Sequence, residues 1–271
     1  MGVNDITLAG GMRQNLTNLQ VTSMLQARTT QRLATGLRVN SAVDDPSAYF
    51  AAQNHRGRAN DLAGRKDAMG EAIQTVKAAD AGIKAITSLI EQAKGLAASA
   101  RSAGTTDRAT LATQFDDLLT QIDNIATDSG YKGKNLLNND TLTVEFNEDG
   151  SSSLDIVGFD GTTAGDLAIG AAANSWAADA DIDAAVTDLD AAVNTIRANA
   201  KTLASNLGIV TARQEFTNGM VNALTEGADQ LTAADTNEEG ANMLALQTRQ
   251  QLGITSLSLA SQAQQGILRL F

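Results

Sequence analysis

Side chains able to perform chemistry are scarce in this sequence. It contains one histidine, His55, and no cysteine. A zinc site needs three or four ligands, and a His-Glu-x-x-His pair cannot be built with a single histidine. The chain has neither a Gly-x-Ser-x-Gly nucleophile motif nor a phosphate-binding glycine loop. We therefore predict no catalytic residue, no cofactor and no metal site, and we interpret His55 as a partly exposed residue on a helix.

Three alternating aspartates, Asp179, Asp181 and Asp183, are the remaining candidates for metal binding. They lack the spaced glycine and the closing glutamate of a calcium-binding loop. Carboxylates in the first turn of a helix interact favourably with the partial positive charge at its N-terminus. We expect these aspartates to begin a helix.

Charge is unevenly distributed along the chain, whose formal net charge is −11. Residues 1–40 carry four arginines against one aspartate, and residues 240–271 carry two arginines, so the acidity is concentrated between them. Nucleic-acid binding requires a basic surface, so no nucleic-acid partner is expected. The uncharged stretch at 250–268 contains five glutamines, which excludes it as a membrane span.

Apolar residues recur at alternating spacings of three and four along three segments, the pattern of long helices packed side by side. Pro46 is the only proline, so little interrupts such helices. The fold class that follows is mainly α, with long antiparallel helices of the coiled-coil type. The apolar positions include Met69, Ile73, Val76, Ile83, Ile86, Ile90, Leu111, Phe115, Leu118, Ile122, Ile182, Leu189, Val193, Ile196, Leu203, Val210 and Leu231.

Boundary signals agree with this pattern. Asp45 is the expected N-cap of a helix that begins at Pro46 and ends at Gly104. Thr106 or Asp107 is expected to cap the next helix, which Gly130 closes.

The apolar period changes from helix-like to strand-like between about residues 138 and 180. Leu142, Val144 and Phe146 alternate with polar residues, as do Leu154 and Ile156. A polar loop at 147–151 separates the two runs, which predicts a small β-hairpin at the tip of the helices. A short strand is also expected at 167–169.

The two ends of the chain carry apolar residues on several helix faces. A helix of this kind is buried on several sides, and one chain cannot cover both ends while its middle forms its own bundle. We expect other copies of the chain to bury them, although packing of the ends into one compact bundle is an alternative. The expected contact residues are Leu8, Met12, Leu16, Leu19, Leu33, Leu37, Leu246, Leu252, Leu257, Leu259, Ile267, Leu268, Leu270 and Phe271.

Three ordered motifs resemble those of bacterial flagellins. Residues 31–45 read QRLATGLRVNSAVDD and are similar to the N-terminal signature of that family. Residues 131–137, YKGKNLL, resemble the turn that leaves its third helix. Residues 241–253 and 263–271 resemble the flagellin C-terminus. Together the motifs cover both ends and most of the helical middle.

The resemblance implies a structural subunit that polymerises into the flagellar filament for swimming motility. It implies a terminal inner-tube domain at 1–44 plus 236–271 and an outer helical domain at 45–235. It also implies export without a cleaved signal peptide, and partners that comprise the export apparatus, an export chaperone, hook-junction proteins and cap proteins. A hook–filament junction protein is the alternative within this class, and another coiled-coil interaction protein is the alternative outside it.

Many flagellins are recognised by an innate immune receptor through an outer-domain helix, which the resemblance places at about residues 88–101. Leu96 keeps the apolar contact there. Gln92, however, stands where stimulating sequences carry arginine, and Gln114 stands where they carry glutamate. An amide cannot replace the five-donor guanidinium. The resemblance therefore implies weak recognition at these three residues.

Overall fold

The computed structural model describes residues 10–268, with the side chains of residues 11–263 and of Gln265. Its elements are α1 (Gly10–Thr35), α2 (Pro46–Ser102), α3 (Thr105–Asp128), β1 (Thr141–Glu145), β2 (Ser153–Val157), a 3₁₀ turn (Ala173–Trp176), α4 (Asp179–Thr232) and α5 (Thr236–Leu268). The mainly helical class with a small hairpin, expected from the apolar periods, is confirmed.

Contacts within the chain divide it into two compact units. The first, the terminal unit, consists of the chain up to Arg56 and from Leu224 onward. The second, the central unit, is Gly57–Ala223. The predicted division at 44 and 236 concerns layers of an assembled filament, so it stays a prediction.

Antiparallel pairing of α2 with α4 is visible in the polar contacts along the central unit. Lys94 Nζ lies 2.6 Å from Asp190 Oδ1. Thirty or so residues nearer the start of α2, the carbonyl of Lys66 accepts a hydrogen bond of 3.3 Å from Gln214 Nε2. Residue numbers that increase along α2 therefore pair with residue numbers that decrease along α4, so the two helices run antiparallel.

The core of the central unit is the seam that the apolar spacing predicts. Met69, Ile86 and Ile90 of α2 are at most 1% exposed, and Phe115 and Ile122 of α3 are fully buried. The buried residues of α4 on this seam are Ile182, Leu189, Val193, Ile196, Leu203 and Val210. Burial of these side chains drives the packing of the three helices.

Asp45 caps α2 as expected, since its Oδ1 accepts a 3.0 Å hydrogen bond from the Ala48 amide. The predicted cap of α3 is wrong. That helix begins at Thr105, and Gly104 is the N-cap with no side-chain hydrogen bond. Asp107 lies in the first turn instead. There a carboxylate still interacts favourably with the helix dipole, although it forms no hydrogen bond with the backbone amides of the first turn.

The motif at 131–137 closes α3. The buried Asn135 donates hydrogen bonds of 2.8 and 2.9 Å from Nδ2 to the carbonyls of Ala126 and Thr127 in the last turn. Leu136 and Leu137 are fully buried next to it. The turn therefore provides hydrogen-bond donors for carbonyls of the last turn that have no partner within the helix. It also anchors the chain that leads to the hairpin.

The hairpin pairs β1 and β2 antiparallel, with Leu142 opposite Ile156 and Val144 opposite Leu154. Phe146 lies just past β1 and is buried, with its amide bonded to the Ser152 carbonyl at 2.8 Å. These residues confirm the predicted alternation.

The short strand expected at 167–169 is not formed. Leu167 and Ile169 are buried as their alternation suggests. However, Ala168 between them has φ of 47° and its amide bonds to the Gly165 carbonyl at 3.2 Å. A tight turn, not an extended backbone, puts both side chains inward.

Candidate assembly surface

Close packing of α1 on α5 organises the terminal unit. Gly253 of α5 faces Leu19 of α1 so closely that an added Cβ would lie 2.6 Å from Leu19 Cδ2. The absence of a side chain at 253 is what lets the two helices approach there. Leu246 of α5 is only 7% exposed.

An ion pair lies between the same two helices. Arg32 Nη1 is 2.6 Å from Glu239 Oε1, and the Glu239 residue is only 6% exposed. Removing two charges from water is unfavourable, so such a pair contributes more to alignment than to stability. Together with Leu19 on Gly253, it sets the antiparallel register of α1 and α5.

Backbone hydrogen bonds tie the loop after α1 to the end of α4 and the loop that follows it. The amides of Arg38 and Val39 both donate to the Thr232 carbonyl, at 2.8 and 3.2 Å. The Ala234 amide donates in return to the Gly36 carbonyl at 2.9 Å. Gly36 ends α1 with φ of 70°, a left-handed conformation suited to glycine. These backbone hydrogen bonds therefore hold the end of α1 close to the start of α5.

Asp44 organises the loop between α1 and α2. Its Oδ2 accepts hydrogen bonds from the amides of Ser41 and Asn40, at 3.0 and 3.1 Å. These bonds, that of Ser41 first, favour the ionised form and lower the pKa of the Asp44 carboxyl from its usual 3.8.

Apolar side chains remain exposed on both helices of this unit. Met24 on α1 is 64% exposed, and Leu244 and Leu252 on α5 are 66% and 63% exposed. Isolated exposed apolar residues are ordinary, but several of them on two adjacent helices make this pair a candidate interaction surface. We call this set the assembly surface: Leu16, Val21, Met24, Leu244, Leu252, Ile254 and Leu259.

The structure sorts the residues expected to contact other copies. Leu16, Leu252 and Leu259 are exposed and belong to the assembly surface, whereas Leu246 is buried within the chain. Met12, Leu19, Leu33, Leu37 and Leu257 are half-buried. Leu8, Leu270 and Phe271 lie outside the described residues, as do the side chains of Ile267 and Leu268.

Several exposed apolar residues are absent from the expected contact set. They include Met24 and Leu244 and, near the junction, Val43 and Phe50, which are 93% and 57% exposed. Leu244 and Leu246 are both apolar positions of α5, yet Leu246 is buried within the chain and Leu244 is not. The apolar residues on several faces of α5 are the sequence feature that could have identified Leu244 as a contact residue.

The three residues of the expected receptor region meet in one groove of the central unit. The groove has a volume of about 640 Å³ between α2 and α3, and Gln92, Leu96 and Gln114 line it together with Leu118. Gln92 Nε2 donates a 3.3 Å hydrogen bond to the Ser88 carbonyl of its own helix. Gln92 and Gln114 are both exposed, so these polar side chains lie on a surface open to solvent.

A second exposed apolar group was not expected from the sequence. Phe216 of α4 is 60% exposed and Ile209, two turns earlier, is 43% exposed. Next to Phe216, the guanidinium of Arg213 lies 5.1 Å from the centroid of the Phe146 ring, a cation–π contact.

The acidic entry to α4 is engaged in protein contacts. Asp179 pairs with Arg108 at 2.6 Å, Asp183 pairs with Arg101, and Asp181 accepts a 3.3 Å hydrogen bond from the Ala178 amide. Asp179 and Asp181 lie in the first turn of the helix, as predicted. Among the described residues, no group of three histidine, cysteine, aspartate or glutamate side chains is arranged to hold a metal ion. His55 is half-buried on α2.

Within residues 10–268, no helix combines the length and the apolar character needed to cross a membrane.

Comparisons with known proteins give two family matches. The model described as bacterial flagellin N-terminal helical region matches residues 3–141, and that described as bacterial flagellin C-terminal helical region matches residues 180–271. Among solved structures, the crystal structure of Bacillus cereus flagellin is similar with 18% identity and a TM-score of 0.47, over 54% of this chain and 86% of that chain. No curated protein matches.

Proposed function

This chain belongs to the bacterial flagellin family and is a structural subunit of the extracellular flagellar filament, and we propose that it polymerises through the assembly surface of α1 and α5. The observation that carries the proposal is the exposure of Met24, Leu244 and Leu252. These residues lie on two helices that already pack against each other through different faces. Exposed to water, these side chains contribute no stabilisation, and burial against the surface of another copy would lower their free energy.

We propose that the assembly contact is heterologous, with the exposed side chains of α1 and α5 in one copy meeting different faces of the next. A head-to-tail contact whose rotation does not close generates an open helical polymer. We propose that residues 1–44 and 236–271 form the inner tube of this polymer and residues 45–235 its outer layer.

Seeded elongation tests the proposal. Purified monomer is mixed with filament fragments, and growth is followed by light scattering and sedimentation. Leu252→Ser should reduce elongation at least about tenfold, since a side chain 63% exposed in the monomer would contribute only after burial by a neighbour. The urea midpoint of the monomer should not change.

Gln251→Ser, at the neighbouring exposed position, is the matched control and should elongate normally. Normal elongation of Leu252→Ser would remove Leu252 from the surface. Failure of the unmodified chain to extend seeds would favour a hook–filament junction role over the filament itself.

We propose in addition that the chain is exported without a cleaved signal peptide and meets an export chaperone, hook-junction proteins and cap proteins. Support comes from family membership. Deleting the genes for the export apparatus should retain the protein inside the cell, whereas loss of the general secretory route should not.

Weak recognition by the innate receptor is a further proposal, supported by the groove that Gln92, Leu96 and Gln114 share. If the arginine of stimulating flagellins anchors the receptor, its absence would weaken binding by about 2 kcal/mol, roughly thirtyfold. A reporter-cell titration should show a gain of signal for Gln92→Arg with Gln114→Glu. Strong activation by the unmodified monomer would contradict the proposal.

A further inference from the structure

The segment before α4 combines the one tryptophan of the chain with unusual backbone geometry. Asn174, Ser175 and Trp176 have φ angles of 48°, 48° and 56°. Asparagine tolerates this left-handed region, but other L residues are disfavoured there because Cβ approaches a carbonyl oxygen. Ser175 and Trp176 therefore hold a conformation that a free chain would leave.

Burial of the indole ring opposes this tendency. Trp176 is fully buried, and its ring centroid lies 4.9 Å from that of Phe115 on α3. A ring of this size gains much from leaving water. Its buried Nε1–H nevertheless has no hydrogen-bond partner among the described residues, which weakens the gain because the donor has lost its water.

Few polar contacts hold the rest of the segment. The Ala172 amide donates to Asp116 Oδ1 on α3 at 2.8 Å. Asn174 Nδ2 and the Ala178 amide donate to the carboxylate oxygens of Asp181, both at 3.3 Å. Among the described residues, the segment is thus attached to α3 by the Trp176 ring and one hydrogen bond. It is attached to the start of α4 by the two bonds to Asp181 and by the 3.2 Å bond that the Asp181 amide donates to the Ala178 carbonyl.

We propose that residues 172–178 form a releasable latch on the central unit, with Trp176 as the side chain that holds it shut. The left-handed backbone and the unpaired indole N–H both oppose the burial of the ring. The latch therefore opens by local unfolding while α2, α3 and α4 stay folded. Opening relaxes Ser175 and Trp176 and exposes Phe115.

Fluorescence of the full-length monomer reports this opening, because Trp176 is the only tryptophan. In a urea titration, the red shift of its emission and its quenching by acrylamide should precede the loss of helical circular dichroism. The amides of Ala177 and Ala178 should exchange with solvent at least about tenfold faster than the amide of Leu189 within α4. Coincident transitions together with equal protection of these amides would overturn the proposal.

A matched pair of glycine variants tests the role of the backbone. Ser175→Gly removes the steric conflict at positive φ, whereas Ala173→Gly, at an exposed residue of the same turn without positive φ, only adds flexibility. Opening, measured by exchange of the Ala178 amide, should be about fivefold rarer in Ser175→Gly than in Ala173→Gly. Equal opening in the two variants would show that backbone strain does not drive the latch.

Discussion

Gly253 shows how one missing side chain sets the distance between two helices. Gly253→Ala would place a methyl group 2.6 Å from Leu19 Cδ2, so α1 and α5 would have to move apart or Leu19 would have to leave its rotamer. We expect a loss of about 1–3 kcal/mol in the stability of the terminal unit, measured by hydrogen exchange of α1 amides.

Gly240→Ala is the matched control for that substitution, because an added Cβ at 240 of the same helix meets nothing within 4 Å. It should stabilise α5 by about 0.5–1 kcal/mol through helix propensity. Equal effects of the two substitutions would mean that α1 does not pack on α5 at Gly253.

The Asp44 carboxylate makes the loop after α1 sensitive to acid. Hydrogen bonds from the Ser41 and Asn40 amides lower its pKa in the folded chain below the usual 3.8. The stability from these bonds is therefore present above about pH 3.8 and is lost as the pH falls through the lower, folded-state pKa.

A carboxyl-detected NMR titration should find the Asp44 midpoint below 3.8. Ser41→Pro removes the first amide donor and should move the midpoint upward toward the usual value. A midpoint at or above 3.8 in the unmodified chain would contradict this account of the loop.

The helices of the central unit depend on buried side chains, not on their many surface ion pairs. Leu203 is 3% exposed on the α4 seam. Leu203→Ala should destabilise the central unit by roughly 2–5 kcal/mol, since it removes buried methyl groups and leaves a cavity. Urea unfolding followed by circular dichroism would measure the loss.

Lys84→Ala is the control on α2. Lys84 is exposed and pairs with Asp80 one turn earlier at 2.6 Å, a surface contact of a few tenths of a kcal/mol. If both substitutions cost the same, the seam would be assigned to the wrong face of the helices.

For the whole molecule, we expect the stability of the ends to be coupled to assembly. In one chain α1 and α5 cover each other but leave apolar side chains exposed, and burial of these side chains against other copies would offset a further loss of conformational entropy. Deleting residues 262–271 should leave a folded central unit that binds no filament seed. Polymerisation of this truncated chain at the normal rate would contradict the coupling.

The sequence by itself determined the helices, their seam and the hairpin. The burial of Met69, Ile86 and Leu203 follows from spacing alone, because side chains three or four residues apart share one helix face. The Asp45 cap is equally local, since the donor lies three residues from the acceptor.

Only the tertiary structure decided which apolar residues of these helices remain for a partner. Leu244 and Leu246 are equally apolar, yet the packing of the chain leaves the first exposed and covers the second. Trp176 gave no periodic signal, because a left-handed turn carries it onto Phe115, some sixty residues earlier in the chain. Neighbours that distant are chosen by packing, which no local pattern records.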